Sequence, residues 1–389
     1  MPVEKSIRPY GLWPSPVTAS MLAGQTRFED VRWLPDGSAL VWPENRGGAG
    51  QLVLLTGGAR RELLVEHSAR GGVGYGGGEF CAGRGAVFFA EKNGSLYRRD
   101  LPHGQPLRLT PAWGGLASPV VSPDGSQVLF VYSDGREDVL ALVDAGGEEW
   151  PQKLARGADF YMQPAWSPTG TAIAWIEWDH PNMPWDSTRL MFGQLAGKPL
   201  RLQSVRLIAG EGGETVVQPQ FSLDGRYLSY IISRGEWEAL EVLELATGQR
   251  QTWLEGEFNL STPAWTQGQR THGWSASGEE IYILTNSAGK ASLCAVDAQG
   301  SCRSIPTGDY TWLRQLSVSP TGSGLAVIAS SPAAADQIIR WDGQRWQVVA
   351  YSDAGMLEPT DLPRPVAVEW ETADGSRVYG LYSEPVNSR

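Results

Sequence analysis

Apolar residues in this chain fall in short runs, and each run follows a compact polar turn. Val31-Arg32-Trp33-Leu34-Pro35-Asp36-Gly37 leads into Ala39 to Trp42. Val121-Ser122-Pro123-Asp124-Gly125 leads into Val128 to Tyr132. Ala165-Trp166-Ser167-Pro168-Thr169-Gly170 precedes Ile173 to Trp178, and Phe221-Ser222-Leu223-Asp224-Gly225 precedes Tyr227 to Ile232. Gly273-Trp274-Ser275-Ala276-Ser277-Gly278 precedes Ile281 to Leu284, and Ser317-Val318-Ser319-Pro320-Thr321-Gly322 precedes Leu325 to Ile328. Cys81-Ala82-Gly83-Arg84-Gly85, before Val87 to Phe89, is a degenerate copy. Pro at the second position, Asp or Thr at the third and Gly last is the chemistry of a tight turn between antiparallel strands. Runs apolar at every position predict strands packed on both faces.

The turn glycines are Gly37, Gly85, Gly125, Gly170, Gly225, Gly278 and Gly322. Their spacings run from 40 (Gly85 to Gly125) to 55 (Gly170 to Gly225). That is the length of one four-stranded blade, so the chain is read as an all-β, seven-bladed β-propeller of antiparallel blades. A pair of β-sandwiches is the rival, and regular spacing disfavours it. The predicted divisions are an N-terminal extension at 1–27, the propeller at 28–350 and a linker at 351–389. The extension is expected to hold a short helix, capped by Ser15, with Pro16 in its first position and Gly24 at its end. The tail from Val366 to Arg389 reads as two strands around Ala373-Asp374-Gly375-Ser376.

If the Pro-Asp-Gly turns join the first and second strands of each blade, the connections between strands two and three, and between blades, emerge at the opposite rim. The unusual segments collect there, so that rim is the predicted functional face. They include Asn45-Arg46-Gly47-Gly48, Gly74 to Gly78, Gly157 to Tyr161 and Trp178 to Asp186.

Composition sharpens this picture. The 389 residues are 41% hydrophobic and 19% charged, which excludes a disordered chain. Gly (47) and Trp (17) are abundant, as tight turns and inter-sheet packing require. A net charge of −11 with no basic stripe argues against a nucleic-acid partner. Three cysteines (Cys81, Cys294, Cys302) without CxxC spacing are too few for a disulfide scaffold and are expected to be free, buried thiols. Met1 to Leu12 has no apolar core of a signal peptide, and no run is long enough to span a membrane, so a soluble, cytoplasmic protein is expected. Asn93-Gly94-Ser95 and Asn259-Leu260-Ser261 match the glycosylation sequon, a frequent chance match.

Catalytic patterns are missing from the sequence. There is no GxSxG, Walker A or HExxH sequence. Ser287-Ala288-Gly289-Lys290 matches SxxK but falls in a predicted hairpin loop, not on a helix. His67, His103, His180 and His272 lack metal-ligand spacing, so no metal and no cofactor is expected. Glu148-Glu149 and Glu279-Glu280 read as solvated loop charges. Tyr75-Gly76-Gly77-Gly78 leads into no helix and makes a poor phosphate cradle. Trp178-Asp179-His180-Pro181-Asn182-Met183-Pro184-Trp185-Asp186 combines two stiffening prolines with stacking, hydrogen-bonding and charged groups. It reads either as a packed loop whose turns Asp179 and Asp186 cap, or as a contact surface for a partner domain or substrate.

Tyr10-Gly11-Leu12-Trp13-Pro14-Ser15-Pro16-Val17-Thr18, Tyr75 to Gly78, Ser95-Leu96-Tyr97-Arg98, Asp159-Phe160-Tyr161 and Trp178 to Asp186 occur in that order. Together they resemble the prolyl oligopeptidase family of serine peptidases, in its acylaminoacyl-peptidase and dipeptidyl-aminopeptidase-like branch. Val368-Glu369-Trp370 through Pro385 resembles the segment leading from propeller to hydrolase domain. The resemblance implies a propeller that caps an α/β-hydrolase domain bearing a Ser-Asp-His triad, admits short peptides and walls the chamber. On this reading the sequence stops where the hydrolase would begin, and no residue is assigned to the triad or oxyanion hole. Whether the chain is itself an enzyme is left open. The candidate interface or chamber residues are Tyr75, Gly76, Gly77, Gly78, Asp159, Phe160, Tyr161, Trp178, Asp179, His180, Asn182, Trp185 and Asp186. The implied partners are the chain's own C-terminal hydrolase domain and short peptides. An apolar, Trp-containing patch on the exposed rim is expected to favour self-association or a partner. Leu12 stands where the family pattern has a small residue. The alternatives are a free-standing binding or scaffold propeller derived from such an enzyme, and a propeller enzyme with a site in its own channel.

Overall fold

A computed structural model describes residues 9, 12, 17–352, 362–384 and 386. Seven four-stranded antiparallel sheets follow one another along the chain, each built from strands consecutive in sequence. Blade 1 comprises a first strand in two short pieces (Arg27–Phe28 and Arg32–Trp33), then Ala39–Arg46, Ala49–Thr56 and Ala59–Glu62. Blades 2 to 7 span 80–108, 115–155, 160–209, 215–255, 272–304 and 312–351. This is the predicted seven-bladed propeller.

Burial explains the strand pattern. First strands of neighbouring blades contact one another and so line the axis, whereas the fourth strands form the outer edge. The second and third strands lie between neighbouring blades, which is why Val128 to Val131 and Val139 to Leu142 are apolar throughout and buried. Outer strands such as Ala59–Glu62 and Cys302–Ser304 are exposed along their length.

All seven predicted turns join first to second strands, and their glycines have φ between 66° (Gly85) and 77° (Gly125). Left-handed backbone of this kind favours Gly at the last turn position. In blade 3, Asp124 Oδ1 accepts hydrogen bonds from Ser122 Oγ (2.6 Å) and Ser126 N (3.0 Å). The Ser287–Lys290 segment is a hairpin turn between strands Glu280–Ser287 and Lys290–Asp297, so its SxxK spacing carries no helical presentation.

Among the described residues no strand is shared between blades 7 and 1. The ring closes through buried side chains, with Phe28, Trp42 and Val53 against Ala326, Ile328 and Ile338. Four hydrogen bonds across the seam reinforce it: Trp33 N to Ser317 Oγ (3.1 Å), Arg314 Nη1 to Phe28 O (2.7 Å), Gln315 Nε2 to Glu29 O (3.0 Å) and Thr26 N to Ser352 O (3.1 Å).

Two expectations are corrected. The N-terminal helix is Ala19–Gly24 and its N-cap is Thr18, whose Oγ1 accepts from Met21 N (3.2 Å). Thr18 supplies the same capping oxygen one turn later than the sequence suggested, and Ser15 and Pro16 lie outside the described residues. All three cysteines are free, but Cys302 is exposed because it sits on an outer-edge strand. The predicted tail hairpin is present as Val366–Glu371 and Arg377–Tyr382. Both its faces carry exposed apolar groups, including Val366, Trp370, Tyr379 and Leu381. Leu381 also packs on Gly289, at the blade 6 hairpin turn.

Candidate functional face

The loops opposite the Pro-Asp-Gly turns enclose a cavity of about 420 Å³. Five separate segments build it. Gly74 and Tyr75 come from the blade 1–2 connection, and Asp159 and Phe160 from the blade 3–4 connection. Arg136 and Asp138 come from the hairpin of blade 3. Trp178, His180, Met183 and Trp185 come from that of blade 4, and Trp265 to Gln267 from the blade 5–6 connection.

The walls are aromatic. Phe160 stacks on Trp178 (centroids 5.0 Å apart, 20° between planes), and His180 meets Phe160 edge-on at 4.8 Å. Trp265 bridges Trp185 (4.3 Å) and Tyr75 (5.7 Å). Tyr75 and Trp265 are 74% and 52% exposed, which is the expected apolar patch on this rim. Two carboxylates border the cavity. Burial pushes the Asp138 carboxyl up. Asp159 Oδ2 accepts from His180 N (2.9 Å), and Asp159 N donates to Asp179 Oδ1 (2.9 Å).

Of the residues singled out in the sequence, Tyr75, Asp159, Phe160, Trp178, His180 and Trp185 line this cavity together. Others hold its walls. Asp179 also binds Arg189 Nη2 (2.7 Å), Asn182 N donates to Asp179 O (3.1 Å), and Asp186 Oδ2 accepts from Met183 N (2.9 Å). Tyr161 is buried, with its hydroxyl accepting from Ala158 N (3.1 Å), and burial pushes that hydroxyl up to about 12. The Trp178–Asp186 segment is therefore both a packed loop and a cavity wall.

Gly76, Gly77 and Gly78 do something different. The blade 1–2 and blade 5–6 connections reach across the ring and meet. Gln267 N donates to Gly76 O (2.8 Å), and Gly77 pairs with Gln267 in an isolated parallel bridge. A Cβ on Gly77 would lie 2.4 Å from Gln267 O, so only Gly allows this approach. Gln267 fixes the junction further, through Ser118 Oγ (3.0 Å) and through Nε2 to Tyr161 O (2.8 Å). The contact crosses the axis between the aromatic cavity and a second, more polar cavity of about 520 Å³ lined by Glu29, Glu79, Gln315 and the Gly71–Gly77 backbone.

Sequence reasoning missed the 256–271 connection, including Trp265 and Gln267. Its length was the available signal, since long connections in compact domains tend to be functional. It also missed a repeat inside the ring. The residue seven positions before the turn glycine is left-handed in five blades: Gly78 (φ 60°), Ser118 (49°), Gln163 (50°), Gln218 (59°) and Gln315 (57°). These residues stitch blade to blade. Ser118 N donates to Gly78 O (2.8 Å), Gln163 Oε1 accepts from Gln218 N (2.6 Å), and Gln218 Oε1 accepts from Thr271 N (2.7 Å). The overlooked signal was a polar residue before Pro, in Ser118-Pro119, Gln163-Pro164 and Gln218-Pro219.

Among the described residues no group of His, Cys, Asp and Glu is placed to hold a metal ion, and no helix is long and apolar enough to cross a membrane. No protein-family model matches the sequence, and no curated protein matches it. Solved structures do. A puromycin-hydrolysing peptidase of Mycobacterium tuberculosis is 25% identical with a TM-score of 0.87, covering 99% of this chain and 62% of its own. A puromycin hydrolase is 26% identical with the same TM-score and coverage. Prolyl oligopeptidase B of Galerina marginata, bound to a 35-residue substrate, is 12% identical with a TM-score of 0.68, covering 92% of this chain and 54% of its own, a likeness of fold alone. This chain thus spans less than two thirds of each of these proteins. Seven blades in this order and these likenesses give the chain the fold of the propeller domains of prolyl oligopeptidase-type peptidases.

Proposed function

We propose that this propeller selects substrates for a serine peptidase of the prolyl oligopeptidase type. It forms one wall of a chamber for short peptides, and an α/β-hydrolase domain supplies the other. The observation that carries the reading is the aromatic cavity on the loop face. Its size suits a small ligand, and its apolar walls with a few polar groups are the usual make-up of a ligand site. The crossed axis beneath it supports a chamber closed toward the channel. The exposed apolar faces of the tail hairpin support a covering domain at its C-terminal side. The likeness to puromycin-hydrolysing chains supports a small substrate. A free-standing binding propeller is the second reading, favoured by the exposed Tyr75 and Trp265 on this rim; on it, the rim serves a partner or a second copy.

Two measurements separate these readings. Short peptides with an aromatic residue are titrated against this chain, and Trp185→Ala and Trp265→Ala are each expected to weaken binding about tenfold, the worth of one good aromatic contact. The product of the native locus is then treated with a serine-directed fluorophosphonate and assayed on free and N-acylated peptide amides. Labelling with hydrolysis supports the peptidase, and the preferred N-terminus decides between the dipeptidyl and acylaminoacyl types. Peptide binding without labelling leaves a binding propeller. Unchanged binding in both Trp variants removes the cavity from either reading.

A further inference from the structure

The axial channel also opens on the turn face, the side opposite the aromatic cavity, as a hollow of about 300 Å³. First strands of six blades line it, with Arg32, Trp33, Gln220, Arg270 and His272 among the wall residues. We propose that this hollow is a binding site for a small oxyanion or carboxylate.

Charge is the first reason. Arg32 Nε and Arg270 Nη2 both pair with Asp30, at 2.8 Å to Oδ2 and 2.8 Å to Oδ1. Asp30 is buried and also accepts from Val31 N (2.7 Å). Guanidinium groups stay charged in proteins, so one carboxylate faces two permanent cations. The next acid along the channel, Glu79, has no ion-pair partner among the described residues. Burial pushes its carboxyl up to about 7, so at neutral pH it balances the second cation only in part.

Unanswered donors are the second reason. Arg270 Nη1 and Trp33 Nε1 are buried N–H groups with no hydrogen-bond partner among the described residues, and both side chains line the hollow. Buried donors are normally satisfied, and an orphan calls for an explanation. A cation cannot answer an N–H; an oxygen-bearing anion answers both donors and the excess charge together. His272, held neutral because burial pushes it down to about 3, adds no repelling charge. The protein as a whole carries −11, so its general field repels anions, and any retained anion reports a local site. A sulfate or phosphate and the C-terminal carboxylate of a peptide share this chemistry.

The test titrates the 389-residue protein with sulfate, with N-acetyl-dialanine and with N-acetyl-dialanine amide, at constant ionic strength. Trp33 and Trp274 line the hollow, so tryptophan fluorescence reports alongside calorimetry. Saturable binding of sulfate or of the acylated dipeptide acid, but not its amide, is expected, weakened at least tenfold in Arg32→Gln and in Trp33→Phe. Sulfate alone identifies an inorganic oxyanion site, and the dipeptide acid alone a peptide-carboxylate site. If Arg32→Gln unfolds, Trp33→Phe carries the test, because it deletes a donor that has no partner in the fold. Binding of neither anion, or equal binding by wild type and Trp33→Phe, overturns the proposal. None of these outcomes depends on peptidase activity, so the proposed function can fail while this site stands.

Discussion

Single residues set the axial contact and its chemistry. Gly77 has φ +86° and faces Gln267 O at a distance no Cβ allows. Gly77→Ala is expected to cost about 2–4 kcal/mol from backbone strain and the displaced loop. Hydrogen exchange at Gln267 N, which binds Gly76 O, should rise with it. Unchanged exchange there would mean the two loops do not depend on this glycine. Glu79 gives a pH dependence of known sign. Its carboxyl is raised from 4.5 to about 7 by burial, so the folded state holds the proton more tightly than the unfolded one. Its contribution is fully present below pH 4.5 and is lost as pH rises through 7, for a total of about 3 kcal/mol. His272 acts oppositely, since burial lowers it from 6.5 to about 3 and its contribution is lost as pH falls below 6.5. Comparing Glu79→Gln with wild type isolates the first effect: thermal melts should show a stabilised variant at pH 8 and little change at pH 4. Neither property was legible in the sequence. Glu79 follows three glycines, and nothing local reveals that it points into a closed ring. By contrast the capping role of Asp186 was legible, because its carboxylate reaches Met183 N only three residues away, whereas that of Asp179 reaches Asp159 N on another connection.

At the scale of the strand, the repeated left-handed residue is a strained device held by neighbours. Ser118, Gln163, Gln218 and Gln315 each interrupt a first strand, and the register shifts there. A bulge with one left-handed residue bends a strand and re-aims its side chain. Here it turns a polar side chain or amide toward a neighbouring blade. The non-glycine conformation costs about 1–2 kcal/mol, offset by the bonds made. Gln218 Oε1 accepts from both Thr271 N (2.7 Å) and Thr271 Oγ1 (3.0 Å). Gln218→Ala keeps the strain and orphans a buried amide, so it should cost about 2–4 kcal/mol. Gln218→Gly loses the same bonds but relieves the strain, and should be about 1 kcal/mol more stable than the Ala variant in denaturant unfolding. Equal stabilities would remove strain from the account. The turns seven residues downstream were readable because Pro, Asp and Gly act locally. The bulges were not, because their partners lie on another blade.

The whole molecule repeats this contrast between local and distant causes. Seven blades could be counted from seven turn glycines, and the rim that carries the aromatic cavity followed from which strands those turns join. The cavity itself could not be read, since Tyr75, Arg136, Phe160, Trp185 and Trp265 come from segments that only the closed ring brings together. Closure is also where the ring should be weakest. Six of its seven junctions are backed by a direct chain connection, whereas blades 7 and 1 are not consecutive in the chain and share no strand among the described residues. Their seam rests on the Phe28, Trp42 and Ile328 cluster and on the cross-blade hydrogen bonds described above. Phe28 is 1% exposed, so Phe28→Ala should cost about 3–5 kcal/mol through the lost burial and the cavity left behind. Ala117→Gly, at a buried position of blade 3, serves as a destabilising control away from the seam. If the seam is the weak junction, native-state hydrogen exchange in Phe28→Ala should accelerate first in blades 1 and 7 while blades 3 and 4 stay protected. Acceleration that is uniform around the ring would mean that the propeller opens as one cooperative unit, with its non-covalent junction no weaker than the other six.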